Sequence, residues 1–294
     1  TTSIAVGMVA GGALTIEGAI PVIMGANIGT SVTNTLVSMG HITRKEEFKR
    51  ALAGATVHDF FNLIAVLVLL PLEIATGYLR YVAQETATLF QGMGGMKFAN
   101  PLKMITEPVV KWLIALLGSN PVLCLIVALI IMYLALKFLV DLARGVVVKR
   151  AERYLHQYLF GAAPIAMLFG VILTIMVQSS SITTSMIVPL IGAGILTLEQ
   201  VFPFTLGANI GTTVTAMLAS LATGNIAAVT VAFAHLFFNM TGIVIVYPIS
   251  QIRQLPLKMA RALAELTSRS RIYAFVYVGC VFYLIPLLLI FFWR

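Results

Sequence analysis

Charged side chains are scarce in this sequence. Asp, Glu, Lys and Arg together make up 10% of its 294 residues, where a soluble domain carries about 25%. That excludes an ordinary solvated surface. Acids are the scarcer sign, eleven against nineteen Lys and Arg. No His, Asp and Glu cluster at metal-ligand spacing, no Gly-x-Ser-x-Gly elbow and no Gly-Lys-Ser/Thr phosphate loop occurs. Hydrolase, nucleotidase and metalloenzyme chemistry therefore have no motif to rest on, and an enzyme is not expected. Cysteine occurs only at Cys124 and Cys280, both inside apolar runs. They read as small core residues, not as a disulfide or a metal site.

What remains is apolar. The chain is 60% hydrophobic, with a mean hydropathy of +0.99, and its apolar stretches are long enough to cross a bilayer. This is the composition of a multi-pass integral membrane protein, with lipid as its solvent. The net charge of +8 does not point to nucleic acid, because the basic residues fall between apolar runs. They read as orientation signals.

The chain is also duplicated. Residues 1–40 align without a gap on 183–222, with 19 identities. Gly25-Ala-Asn-Ile-Gly-Thr30 falls on Gly207-Ala-Asn-Ile-Gly-Thr212, Glu17 on Glu199 and Pro21 on Pro203. After a five-residue shortening the match resumes, with His58-Asp-Phe-Phe-Asn62 on His235-Leu-Phe-Phe-Asn239. An internal repeat of this kind sets the architecture.

Four regions follow. Residues 1–76 form a first repeat, with a short apolar arm over 1–9, a turn, a span over 16–39 and another over 51–76. Pro21, Gly25, Asn27 and Gly29 interrupt 16–39, which predicts a discontinuous helix. Residues 77–119 form a connection, with an interfacial helix near 103–117. Residues 120–249 form the second repeat. It opens with a continuous span over 120–143, then two apolar arms, 159–177 and 182–192, flank Gln178-Ser-Ser-Ser181. The polar tip and the short second arm predict a re-entrant hairpin. A second broken span is expected over 198–221, and a further span over 226–249. Residues 250–294 hold a basic interfacial segment and a last span.

Thirteen of the nineteen Lys and Arg lie in 41–50, 144–153 and 251–271. Placing these inside puts 77–119 and the neutral turn Ala222–Asn225 outside. The two repeats then run upside down relative to each other. The expected fold class is all-α and polytopic, with inverted-topology repeats, re-entrant hairpins and discontinuous transmembrane helices. Because the second repeat has a span and a hairpin arm before Thr183, the pattern predicts roughly sixty further residues ahead of Thr1, ending in another Gln-Ser-Ser-Ser.

Inverted repeats meeting at mid-membrane are a transporter's architecture. The tip offers Gln178, Ser179, Ser180 and Ser181. The breaks offer Asn27, Thr30, Ser31 and Thr33, with Asn209, Thr212, Thr213 and Thr215 opposite. These are neutral donors and acceptors. An anion would rely on hydroxyls, backbone N–H groups and co-bound cations. Plainer readings stand beside this one. Gly25-x-x-x-Gly29 and Gly207-x-x-x-Gly211 also fit helix packing, and single Ser and Thr residues in apolar helices usually bond their own carbonyls. His58, His235, Asn62 and Asn239 read as satisfied packing groups. Glu17 and Glu199 read as helix-start residues, and Asp141 as an ion-pair partner of Lys137 or Arg144. Asp59 differs: it lies in an apolar span and its repeat partner is Leu236, so a cation-linked role is expected.

On these residues the chain resembles the type II sodium–phosphate cotransporter family and is similar to its bacterial members. Gln178–Ser181, the two Gly-Ala-Asn-Ile-Gly-Thr elements, Val57-His-Asp-Phe-Phe-Asn62 and Leu69-Leu-Pro-Leu-Glu73 carry the match. The resemblance implies Na⁺-driven uptake of inorganic phosphate by an alternating-access, elevator-like homodimer in the bacterial inner membrane. No cofactor is implied beyond Na⁺ as coupling ion. Phosphate would be held by Ser179, Ser180, Ser181, Asn27, Thr30, Ser31, Asn209 and Thr212. Sodium would be held by Gln178, Ser179, Thr212, Thr215, Thr33 and Asp59. Asp59 matches the aspartate of electrogenic members, which implies about three Na⁺ per divalent phosphate and one net charge moved inward. Another small oxyanion such as sulfate, or a phosphate sensor without transport, are the alternatives.

Overall fold

The structure is a computed structural model that describes residues 2–30, 32–90, 101–118, 120–128, 130–131, 134, 159–284 and 287. Asp141 with its two basic neighbours, the basic segment 144–153 and half of the expected 120–143 span lie outside the described residues, as does Ser31. Among the described residues the regular structure is helical.

The first arm is α1 (Thr2–Ala10), closed by a turn in which Gly12 takes φ +73°. Thr15 then caps α2 (Ile16–Gly29), its Oγ1 accepting from the Gly18 N–H at 3.2 Å. This satisfies one of the N–H groups orphaned at a helix start. Glu17 sits in that first turn and pairs with Arg80 at 2.8 Å. The helix stops at Gly29, and α3 (Val32–Ser38) begins three residues later. Of the two residues between them only Thr30 is described; it keeps right-handed helical geometry, with its N–H on the Ala26 carbonyl at 3.1 Å.

The long helix α4 (Lys45–Thr76) has 32 residues, about 48 Å of rise, more than a hydrocarbon core of about 30 Å. Gly77 ends it in the left-handed region, at φ +64°. The connection beyond holds α5 (Tyr78–Thr88) and α6 (Pro101–Leu116). The second covers the stretch near 103–117 where a helix is expected. The first is new. Leu79, Ala83 and Ala87 repeat at four-residue spacing and bury one face against α4 and a later helix.

The second repeat contributes α7 (Ala163–Val177) and α8 (Ser180–Gly192). Their lengths, about 22 and 20 Å, are too short for either to cross a bilayer alone. Helix α9 (Leu198–Thr223) follows, then α10 (Ile226–Val246), the basic α11 (Ser250–Arg269) and α12 (Ile272–Gly279). Among the described residues three helices are long and apolar enough to span: α4, Leu198–Leu221 of α9, and α10.

One expectation fails. The predicted second broken span is a continuous helix of 26 residues, with a capping box between Thr197 and Gln200. Packing supplies the reason. A Cβ on Gly207 would collide with the Met167 carbonyl of α7, and one on Gly211 would sit 2.6 Å from the Thr174 Cβ. On the facing helix, a Cβ on Gly170 would strike the Phe204 carbonyl. Two backbones thus approach directly, and the contact offsets the roughly 1 kcal/mol that each helical glycine costs. In α2 the equivalent Gly25 and Gly29 have nothing within 4 Å. The same six residues are packed against a neighbouring helix in one copy and open in the other.

The core ties these helices around α4. Val57 and Phe61 pack with Phe202 and Leu206 of α9 and with Leu257 and Ala260 of α11. Leu69 packs with Leu79, Phe233 and Phe238. At one end of α4, Lys49 pairs with Glu265, and Arg50 donates to the Gly192 carbonyl that ends α8.

Candidate functional site: a neutral cavity between the two repeats

The junction of α7 and α8 is built under strain. Gln178 ends α7 with φ +57°, the one non-glycine with positive φ among the described residues. That conformation costs an L-residue on the order of 1 kcal/mol. Such strain collects at functional positions. Ser179 then caps α8, its Oγ accepting from the Ile182 N–H. The tip presents the N-terminus of α8, a region of about half a positive charge.

That tip opens into a cavity of about 490 Å³. Gln178, Ser179, Ser180 and Ser181 form one wall. Thr30 and Thr33 of the first repeat and their equivalents Thr212 and Thr215 of the second form two others. Thr2, Ser3, Ala26, Gly29 and Ala216 complete it. None of these thirteen residues is charged. Gln178, Ser179, Ser180, Ser181, Thr30, Thr33, Thr212 and Thr215 are therefore brought together as the sequence predicts. Thr2 and Ser3 were missed, although their repeat partners Thr184 and Ser185 follow closely on the Gln-Ser-Ser-Ser motif and mark the pair as duplicated.

The hydroxyls differ in what they have left to give. Thr30 donates to the Ala26 carbonyl at 2.9 Å, Thr212 to Ala208 at 3.2 Å and Thr215 to Thr212 at 2.7 Å. The back-bonding reading thus holds for these three, and each offers the cavity only its oxygen lone pairs. Ser181 donates to the Thr30 carbonyl at 3.2 Å, joining the tip to the first repeat. Ser180 is 5% exposed and makes no side-chain hydrogen bond among the described residues, so its donor is unspent.

Asn27 and Asn209 do not line the cavity. Both are buried, and their amides are consumed in two equivalent clusters that cross between repeats. In one, His235 Nε2 lies 2.9 Å from Asn27 Oδ1, while Asn27 Nδ2 donates to Asn239 Oδ1 at 2.8 Å. In the other, His58 Nε2 meets Asn209 Oδ1, while Asn209 Nδ2 donates to Asn62 Oδ1 at 2.9 Å. Asn62 Nδ2 then donates to the Asn27 carbonyl at 2.9 Å and links the clusters. Each repeat's Asn is held by the other repeat's His and Asn. Both histidines bond through Nε2 as packing groups would, but the buried Nδ1 of each has no partner among the described residues, so they are only partly satisfied.

Asp59 also lies off the cavity wall. It is buried in α4 and accepts from the Tyr277 hydroxyl of α12 at 2.7 Å. The sequence marks the carboxylate but gives no signal for its tyrosine partner, which comes from a helix more than two hundred residues later.

The helices of the two sequence repeats thus enclose a hydroxyl-lined cavity. Residues 1–99 and 130–259 match the Na⁺/Pi-cotransporter family, and the chain belongs to that family. Its members are transporters and not enzymes. The chain is 36% identical over 368 residues to the sodium-dependent phosphate transport protein 2A of Ovis aries, covering 97% of this chain and 57% of that relative. It is 34% identical over 381 residues to the 2B protein of Homo sapiens, covering 98% and 55%. The chain thus spans somewhat more than half the length of these relatives. No solved structure matches it.

Proposed function

We propose that the protein couples inward movement of Na⁺ to uptake of inorganic phosphate by alternating access, with the described cavity as the shared binding site. The observation that carries this reading is the cavity's chemistry: mostly hydroxyl-bearing residues, none charged among the described lining, with matching threonines from both repeats. The names of the relatives supply the substrates. Thr30, Thr212 and Thr215 have spent their donors and suit a small hard cation, which takes oxygen lone pairs. Ser180 and the α8 N-terminus keep donors and suit an oxyanion. Gln178 has both. Asn27 and Asn209 hold the repeats together around the site. The same reading takes the repeats as inverted, the α7–α8 pair as a re-entrant hairpin, and the protein as an elevator-like homodimer in a bacterial inner membrane. Asp59 serves as the residue that makes transport electrogenic, with three Na⁺ per divalent phosphate.

The test is uptake of labelled phosphate by purified protein in liposomes. An inward Na⁺ gradient drives accumulation above equilibrium, and replacing Na⁺ by K⁺ abolishes it. Sulfate in excess competes weakly. Accumulation that ignores the Na⁺ gradient would sink the proposal, and full competition by sulfate would transfer it to a broader oxyanion class.

A further inference from the structure

Helix α11 carries three parallel stripes where a surface helix needs two. Leu257, Ala260, Ala264 and Ser268 are buried, and the first three pack in one cluster with Val57 and Phe61 of α4. Lys258, Arg261, Glu265 and Arg269 repeat that spacing one residue later and are exposed. Leu255, Met259, Ala262 and Leu266 form the third stripe. Its three large side chains are 48, 37 and 44% exposed, and Ala262 is exposed with them. A helix in water would carry polar residues at those four positions. The apolar surface continues into α12, where Ile272, Phe275 and Val276 are exposed. The charged stripe is unevenly paired. Arg261 pairs with Glu199, and Glu265 with Lys49. Lys258 and Arg269 have no ion pair among the described residues. Glu265 lies in the field of Arg269 and Lys45 as well as Lys49, so one carboxylate sits among three cations. A positive excess beside an exposed apolar stripe is the pattern of a helix seated at a lipid headgroup layer. Both basic segments involved are ones that the sequence places inside, on the side of the anionic leaflet.

We propose that the outer face of α11 binds anionic phospholipid. Lys258, Arg269 and Lys45 hold the headgroup phosphate, and Leu255, Met259 and Leu266 lie along the acyl chains. The apolar stripe makes the face a lipid-facing wall, and the unpaired cations make it choose among lipids. Arg261 adds little to that choice, because Glu199 already balances it. None of these residues lines the neutral cavity, so the inference stands whichever ion the cavity takes.

The experiment reads tryptophan fluorescence from the full chain in liposomes. Trp112→Phe with Trp293→Phe removes both native tryptophans, and Leu255→Trp or Leu266→Trp then adds a single reporter on the stripe. Phosphatidylcholine with brominated acyl chains quenches both reporters. Brominated phosphatidylglycerol, titrated into unbrominated phosphatidylcholine, quenches them at lower mole fraction, a preference of about fivefold for each cation that holds the headgroup. Lys258→Gln with Arg269→Gln, at two exposed and unpaired positions, removes about fivefold of that preference per substitution. Quenching by phosphatidylcholine stays as it was, which shows the helix still seated. Inorganic phosphate in excess leaves the quenching by phosphatidylglycerol unchanged. Four results would overturn the inference. They are no quenching of either reporter, which would mean that protein covers the stripe; equal quenching by the two lipids; a preference that survives the double substitution; and relief of phosphatidylglycerol quenching by inorganic phosphate.

Discussion

Gly207→Ala and Gly25→Ala place the same methyl at equivalent points of a duplicated hexapeptide, and the structure gives them opposite signs. At Gly207 the methyl collides with the Met167 backbone carbonyl. Backbone cannot rotate aside as a side-chain tip can. Overpacking costs about 1–3 kcal/mol, and this site belongs at the upper end. Alanine's better helix propensity returns about 1 kcal/mol, leaving a net loss of about 2 kcal/mol. For a chain of this size each kcal/mol moves Tm by about 2–4 °C, so the apparent Tm falls by about 4–8 °C. At Gly25 nothing lies within 4 Å, only the propensity gain applies, and Tm rises by about 2–4 °C.

The assay is loss of the monodisperse peak on size-exclusion chromatography after heating in detergent, for both variants side by side. Opposite shifts support the argument. Equal falls would refute it, because they would mean that the glycine face of α2 is covered in the folded protein as that of α9 is.

Other outcomes follow from the same contacts. Asn62→Ala removes the acceptor of Asn209 Nδ2 and the donor to the Asn27 carbonyl. Orphaned buried groups cost about 1–3 kcal/mol each in soluble proteins, but hydrogen bonds between membrane helices average nearer 0.6, so a loss of about 1–3 kcal/mol is expected, read as apparent Tm; a loss below about 0.5 kcal/mol contradicts the network's role. Asp59→Gly abolishes transport current while some phosphate uptake persists, and Tyr277→Phe, which removes the donor at 2.7 Å, shifts the Na⁺ dependence of current without abolishing it; wild-type current in Asp59→Gly refutes the assignment. The hydrogen bond from Lys49 holds the Glu265 carboxyl below its ordinary pKa of 4.5. Its contribution is therefore present above that pH and is lost as pH falls through the depressed value. Both groups are exposed, so Glu265→Gln leaves Tm within about 2 °C at pH 7.

The duplication was legible because identities at a fixed offset need no structure to find. Its consequences were legible only in part. Gly-x-x-x-Gly fits a break and a close helix contact equally well, and the sequence around 25–29 and 207–211 does not distinguish them. What does is whether a neighbour crosses there, a tertiary fact: α7 crosses α9 at Gly170. The cavity's threonines were found because hydroxyls recur in otherwise apolar runs. Asn27 and Asn209 were assigned to the cavity by the same logic, yet the structure spends their amides between the repeats. A polar residue in a membrane helix announces that it has a partner without saying whether that partner is a ligand or another helix. Here the matching His-x-x-x-Asn pairs at 58–62 and 235–239 were the partners.

A neutral cavity has a thermodynamic consequence under the transport reading. A fixed arginine would hold phosphate whether or not Na⁺ was present. With no charged residue among the described residues of the wall, the positive charge that steadies the anion arrives chiefly as Na⁺, seated on lone pairs that Thr30, Thr212 and Thr215 have left over. Binding of the two must then be mutually favourable, and linkage makes the effect reciprocal. Raising Na⁺ lowers the phosphate dissociation constant, and saturating phosphate lowers that for Na⁺ by the same factor, about 5- to 150-fold for a coupling of 1–3 kcal/mol. Equilibrium titrations by calorimetry in detergent, run in both orders with K⁺ as the balancing cation, read both factors. Phosphate affinity independent of Na⁺ would mean that the wall alone holds the anion, and the argument from its neutrality would fail.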